Sequence, residues 1–198
     1  MPKRSKKNGP RSGTRSETHD ALKLRKLESG AGYVLVHPRC VRDRAEDIEE
    51  VRLMIDAGEL EVATDEIRWL LSGCSAFVEA HLLAGVIAVE LSNDVKLARG
   101  HFGYAYGLGL KALHAAKFAG PLLAAQPANG PWHEAGRGLA WCLQRLDKAA
   151  MADEVVATLL AADASDPMGV AELIRSMRAP SDPLFQIDLP PSPGTGPK

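Results

Sequence analysis

The chain has 198 residues, of which 45% are hydrophobic and 25% are charged, and its formal net charge is −1. This composition is typical of a globular protein, and the length is enough for one ordinary domain with tails. The nearly neutral charge excludes a uniformly basic nucleic-acid-binding protein, but it allows opposite charges to be concentrated in different segments.

The N-terminal segment is basic and contains no apolar run. It holds six cations before the first acidic residue, Glu17. Without an apolar run it does not match a secretory signal. It also has too little apolar surface to offset the entropy of ordering, so we predict a disordered basic tail over residues 1–32.

The middle of the chain has the spacing of helices. Tyr33–Val36 is rich in β-forming residues, and its pattern fits either a strand or an extended lead-in. Beyond it, apolar residues recur every three or four positions, and glycines or the Asn93-Asp94 pair separate the segments. We predict helices over residues 43–57, 60–71, 76–91, 95–113, 132–146, 149–162 and 168–177.

Two stretches rich in proline interrupt or end this pattern. Residues 114–131 contain Gly120-Pro121 and Gly130-Pro131, and we predict a loop there, with room for one short helix. Residues 179–198 contain six prolines, which disfavour a helix, so we predict a second disordered tail. Long helices with no strand between them favour an all-α domain over residues 33–178. The most apolar stretch, 76–91, is shorter than the roughly 20 residues of a membrane span, so we expect no membrane segment.

Three of the predicted helices share one spacing pattern. Each has a turn residue, then an alanine four or five positions later, then a large apolar residue four positions after the alanine. A small residue at such a position lets two helices approach closely. The alanines are Ala63, Ala98 and Ala152, and the first two lie 35 positions apart.

The helices that precede them hold a second pattern. Trp132-His-Glu-Ala135-Gly136-Arg-Gly-Leu139 combines an aromatic residue, a small pair and an apolar residue, and His81 to Ala88 is a weaker copy with Ala84-Gly85. In the first copy Val51 stands where the small residue belongs. Together these segments resemble tetratricopeptide repeats, whose period is about 34 residues, over residues 43–165.

The resemblance implies a fold and a kind of site. The fold would be antiparallel helix pairs in a short right-handed superhelix, with residues 168–177 as the capping helix. The function would be protein or peptide binding in a concave groove lined by the first helix of each repeat. The lysines and asparagines of the family's clamp for chaperone C-terminal carboxylates are replaced here by Ile48 and Arg52, so that specificity is not implied. The implied groove residues are Arg52, Asp56, Glu79, Leu82, Val86, Glu90, His133, Arg137 and Trp141.

The cysteines and histidines leave two interpretations open. His37 and Cys40 have the two-residue gap of half a zinc site, which Cys74 and His81 could complete. Alternatively, Cys74 is a small buried residue and Cys40 is a lone thiol. Three cysteines far apart predict no disulfide framework, which favours a reducing cytoplasm.

The sequence contains no phosphate-binding glycine loop and no serine nucleophile elbow. We therefore predict a non-catalytic protein-interaction scaffold in the cytoplasm, with no cofactor and no metal, that binds a protein or peptide. The alternative is a nucleic-acid- or ribosome-associated factor that binds non-specifically through its basic arm. The cations of that arm are Lys3, Arg4, Lys6, Lys7, Arg11 and Arg15.

Overall fold

The computed structural model describes residues 21–30, 32–118 and 120–179. Two short strands come first, β1 (Lys23–Lys26) and β2 (Tyr33–Val36). Eight helices follow in the described part of the chain: α1 (Arg39–Arg42), α2 (Ala45–Asp56), α3 (Leu60–Gly73), α4 (Val78–Ser92), α5 (Val95–Ala115), α6 (Gly130–Arg145), α7 (Ala149–Ala162) and α8 (Val170–Arg178). The prediction of a mostly helical domain is confirmed.

Six of the helices form three hairpins, each closed by a short turn. Gly58, Asn93 and Asp147 occupy the turns after α2, α4 and α6 with φ of 79°, 50° and 57°. This left-handed conformation ends a helix, and glycine and asparagine adopt it at the lowest cost. Asp94 then caps α5, because its carboxylate accepts a hydrogen bond from the Leu97 N–H at 2.9 Å. The turns expected from the sequence are therefore where the hairpins close.

Small residues lie where the helices touch. Ala63, Ala98 and Ala152 are fully buried, as their shared spacing predicted. A Cβ at Gly85 of α4 would lie 2.5 Å from the Phe102 ring of α5, and one at Gly136 would lie 2.8 Å from Leu159. A larger residue at either position would force the facing side chain to shift, so these glycines set how closely the second and third hairpins pack.

The hairpins also contact one another in chain order. Helix α3 packs against α4, and α5 packs against α6. In addition, α4 packs against α6 and α6 against α8, so the first helices of the last two hairpins and the final helix lie side by side. These three helices provide the surface on which most of the predicted groove residues stand.

The strands correct the all-α prediction and the extent of the N-terminal tail. β1 pairs antiparallel with β2, with Lys23 opposite Val36 and Lys26 opposite Tyr33. β1 lies within residues 1–32, which the sequence assigned to a disordered tail. The physical reason is apolar burial, because Leu22 and Leu35 are buried in the same core cluster as α5 and α6. The remainder of that predicted tail, residues 1–20, and nearly all of the predicted C-terminal tail lie outside the described residues.

The long loop between α5 and α6 is tied to the rest of the domain. The Leu122 N–H donates to the Ala162 carbonyl at 2.8 Å, and the Ala124 N–H donates to the Asp163 carboxylate at 2.9 Å. Leu122 is fully buried. The predicted loop is therefore held against the end of α7 rather than projecting into solvent.

None of the helices in the described ranges is both long enough and apolar enough to cross a lipid bilayer.

Candidate functional site

Five of the nine predicted groove residues line one depression. It lies between α4 and α6 and consists of two adjoining cavities of about 260 and 410 Å³. Val86, Phe102, Arg137 and Gly138 line both cavities, so they form one continuous groove. The predicted residues found there are Leu82, Val86, Glu90, Arg137 and Trp141.

Phe102 of α5 lies between α4 and α6 at this groove and is only 4% exposed. Cβ atoms at Gly85 and Gly138 would lie 2.5 and 2.9 Å from its ring, so a glycine from each flanking helix contacts the aromatic side chain. Phe102 is the large apolar residue four positions after Ala98 in the shared spacing pattern, and the sequence did not indicate its place beside the groove.

Helix α8 and the residues before it close one side of the groove. Leu173 lines the cavity that contains Trp141, and Pro167 with Met168 lines the other. The sequence assigned α8 only to capping the last repeat. In the structure it also supplies lining residues, because α8 packs directly on α6.

A row of charges extends from the groove toward α2. The Arg52 guanidinium of α2 donates to the Glu79 carboxylate of α4, with Nε at 2.6 Å from Oε1. Partial burial raises the pKa of Glu134, and Glu79 raises it further, whereas Arg52 and Arg137 oppose the shift. Arg52 and Glu79 form an ion pair with each other and line neither cavity. Arg137, by contrast, is exposed at the groove itself.

Asp56 and His133 do not reach the groove. Asp56 is exposed at the last residue of α2 and lines neither cavity. His133 is only 2% exposed, its Nε2 lies 2.7 Å from the Leu122 carbonyl oxygen, and burial lowers its pKa. The prediction for His133 is wrong because the loop before α6 covers that face of the helix.

Neither interpretation of the cysteines and histidines holds for Cys40, because it is bonded to Cys74. The two form a disulfide with their Cα atoms 5.8 Å apart, so they are neither zinc ligands nor lone thiols. The Nε2 atoms of His37 and His81 lie 2.8 and 3.2 Å from the carbonyl oxygens of Ala128 and Ser75. Over the ranges that the structure describes, no three residues of the metal-binding types are grouped closely enough to hold an ion.

The disulfide corrects the prediction that no cysteines pair. It also removes the premise of the argument for a reducing cytoplasm, since disulfides persist mainly in oxidising compartments. Cys142 is the one free cysteine in the described part of the chain, and it is buried. Burial raises its pKa to about 11, so it is a neutral thiol rather than a nucleophilic thiolate at pH 7.

Another depression, of about 660 Å³, lies between α5 and α7. Leu113, Phe118 and Ala161 are among its mainly apolar lining, and His114 and Lys117 are its charged or ionisable members. It has neither the arginine nor the tryptophan that distinguishes the groove between α4 and α6, and such residues are enriched at energetically dominant interface positions.

The six basic residues of the N-terminal arm lie outside the described residues, so binding of nucleic acid through the arm stays a prediction.

Comparisons of this chain with protein-family models, with curated proteins and with solved structures found no match.

Proposed function

We propose that this chain is a non-catalytic scaffold that binds an extended segment of a partner protein in the groove between α4, α6 and α8. The observation that carries the proposal is the position of Arg137 and half-buried Trp141 beside an apolar depression against Phe102. Arginine and tryptophan dominate binding energy at interfaces, and a mainly apolar concavity with few polar groups is the usual form of a binding site.

The proposal includes the tetratricopeptide-like character of the helical hairpins and a short right-handed superhelix. Its support is the buried alanines at 63, 98 and 152, the glycine contacts within the hairpins, and the side-by-side packing of α4, α6 and α8. In such an arrangement the first helices form the concave surface, and peptides bind there. The cytoplasmic location predicted from the sequence is not part of the proposal, because the disulfide between Cys40 and Cys74 removes the argument on which it rested.

The groove indicates what its ligand contains. Val86, Val89 and Leu173 require apolar side chains, because burying an aliphatic or aromatic side chain gives about 1.5–3 kcal/mol. Arg137 favours a carboxylate at the rim. Glu90 and Glu134 disfavour a strongly acidic ligand, because each would repel further negative charge. The expected ligand is an extended, mostly apolar peptide with one or two acidic residues.

The test compares two double variants of the full chain. Arg137→Glu with Trp141→Ala removes the groove's cation and aromatic side chain. Arg68→Glu with Trp69→Ala makes the same changes on α3, where Trp69 is 53% exposed and lies outside the groove lining. Each protein is used to capture partners from a native lysate, and the captured proteins are identified by mass spectrometry.

We expect a set of partners that the wild-type chain and the α3 variant retain and the groove variant loses. Circular dichroism should show the same helical signal in all three proteins. Partners that remain bound to a folded groove variant would show that the groove is not the binding site.

A further inference from the structure

The chain leaves the folded domain beside the groove. Its last described helix, α8, supplies Leu173 to the groove lining and ends at Arg178. The Arg178 side chain is fixed against α6 and α7, because it donates to Gln144 Oε1 at 2.9 Å and lies 2.9 Å from the Asp153 carboxylate. Gln144 is three residues after Trp141 on α6. The C-terminal segment therefore starts about one helical turn from the end of the groove where Trp141 stands.

The C-terminal segment has the composition that the groove requires. Residues 182–189 lie outside the described part of the chain and read Asp-Pro-Leu-Phe-Gln-Ile-Asp-Leu. In an extended chain Phe185, Ile187 and Leu189 lie on one face, because alternate side chains point the same way. Asp182 and Asp188 supply the carboxylates, and no lysine or arginine occurs between Arg178 and Lys198. The basic N-terminal arm, by contrast, has no apolar run to fill a groove.

The C-terminal segment matches the groove in length, and the residues before it are long enough to reach the groove. Phe185 to Leu189 spans about 13 Å when extended. The groove follows α6 from Glu134 to Trp141, which is about 10 Å along a helix axis. The six Cα-to-Cα steps from Ala179 to Phe185 reach up to about 20 Å, whereas Ala179 lies about 9 Å along the helix from Leu173. The tether is long enough to turn back and short enough to keep the segment at a high effective concentration.

We propose that residues 182–189 of this chain occupy the groove in the absence of a partner, so that a partner binds by displacing them. The inference rests on the proposed function, because it assigns the same groove a resident competitor. It identifies the ligand chemistry as an extended peptide with alternating large apolar residues and flanking acids.

The test adds a fluorescent peptide of residues 181–191 to the full chain and measures binding by anisotropy. In the Phe185→Asp/Ile187→Asp chain the resident segment no longer competes, so we expect the peptide to bind at least tenfold more tightly than to the wild-type chain. Leu184→Asp/Gln186→Asp is the matched control, since it adds the same charge to the opposite face of the segment. It should bind the peptide as the wild-type chain does.

A variant that combines the groove and segment substitutions shows whether the peptide binds in the groove. Arg137→Glu/Trp141→Ala in the Phe185→Asp/Ile187→Asp chain should weaken peptide binding at least tenfold. Equal binding to the wild-type and Phe185→Asp/Ile187→Asp chains, no binding to either, or binding that survives the groove substitutions would overturn the inference. If the peptide fails to bind while the groove variant still loses its lysate partners, the proposed function stands and only the resident segment is excluded.

The segment in the groove could belong to the same chain or to a second copy. Sedimentation of the wild-type chain over a range of concentrations distinguishes these two sources. We expect a monomer. A dimer that Phe185→Asp/Ile187→Asp dissociates would assign the segment to a neighbouring copy and overturn docking within one chain.

Discussion

Asn129 and Leu35 are 94 positions apart in the sequence, and the Leu35 N–H donates to Asn129 Oδ1 at 2.9 Å. The same side chain donates through Nδ2 to the carbonyl oxygens of Tyr33 and Leu123, at 3.1 and 2.9 Å. Asn129 is fully buried. One amide group therefore joins β2 to the loop that precedes α6.

We expect Asn129→Ala to lower the free energy of unfolding by about 3 kcal/mol, because the buried Leu35 N–H loses its acceptor and the partly buried Tyr33 and Leu123 carbonyls each lose a donor. Gln126→Ala is the control, since Gln126 contributes to the same loop through its backbone, and it should cost less than about 1 kcal/mol. Urea denaturation measures both. Equal stability of the two variants would contradict the central role of Asn129.

The second prediction concerns Gly109, which contacts Trp132. A Cβ at Gly109 would overlap the Trp132 ring, which is fully buried and donates through Nε1 to the Tyr106 carbonyl at 2.9 Å. Because the ring has no room to shift, Gly109→Ala should destabilise the protein by about 2–3 kcal/mol.

Gly107, in the same helix, is the matched control, because a methyl group added there would have no neighbouring atom within 4 Å. Gly107→Ala should be neutral or stabilise by up to about 1 kcal/mol, because alanine is the better helix former. Thermal and urea unfolding of both variants give the comparison. A neutral Gly109→Ala would show that α5 and α6 are packed less closely than the contact between Gly109 and Trp132 requires.

The third prediction concerns the disulfide. Cys40 and Cys74 are separated by 34 positions, and closing a loop of that size stabilises a protein by about 3–4 kcal/mol in the chain-entropy treatment. Cys40→Ser/Cys74→Ser should lower the free energy of unfolding by that amount. Thiol titration of the denatured, non-reduced wild-type protein should find one free thiol, that of Cys142. Three free thiols would contradict the pairing.

The fourth prediction is a loss of stability in mild acid. Burial lowers the pKa values of His81, His101 and His133 below their ordinary value of 6.5, and His101 further lowers that of His81. The folded protein then binds fewer protons than the unfolded chain, so stability is complete above about pH 6.5 and falls as the pH decreases through the folded-state values. The pKa of Glu134 is raised, so the folded protein binds that proton more tightly than the unfolded chain does. Protonation of Glu134 therefore adds stability as the pH falls further.

Urea denaturation at pH 7.5 and pH 5.5 measures this dependence. His101→Gln should reduce the difference between the two pH values, because it removes one depressed group and the imidazole whose Nδ1 lies 3.4 Å from that of His81. Identical pH profiles for His101→Gln and the wild type would refute the contribution of His101 to the loss of stability in acid.

Local patterns in the sequence determined the helices, the hairpin turns and the buried alanines. A helix's apolar face repeats every three or four residues, and the residues that end a helix act within a few positions, so both signals are contained in short segments. The groove residues came instead from the resemblance to tetratricopeptide repeats, and three of them, Val86, Arg137 and Trp141, line one cavity in the structure.

Only the tertiary structure decided which distant segments meet. No local pattern indicates that Cys40 lies beside Cys74, that Asn129 reaches β2, or that the loop before α6 covers His133. A disulfide needs two Cα atoms within about 7 Å, and a buried amide needs specific partners. Both conditions depend on how whole helices and loops pack against one another. The spacing of residues within one segment carries no information about that packing.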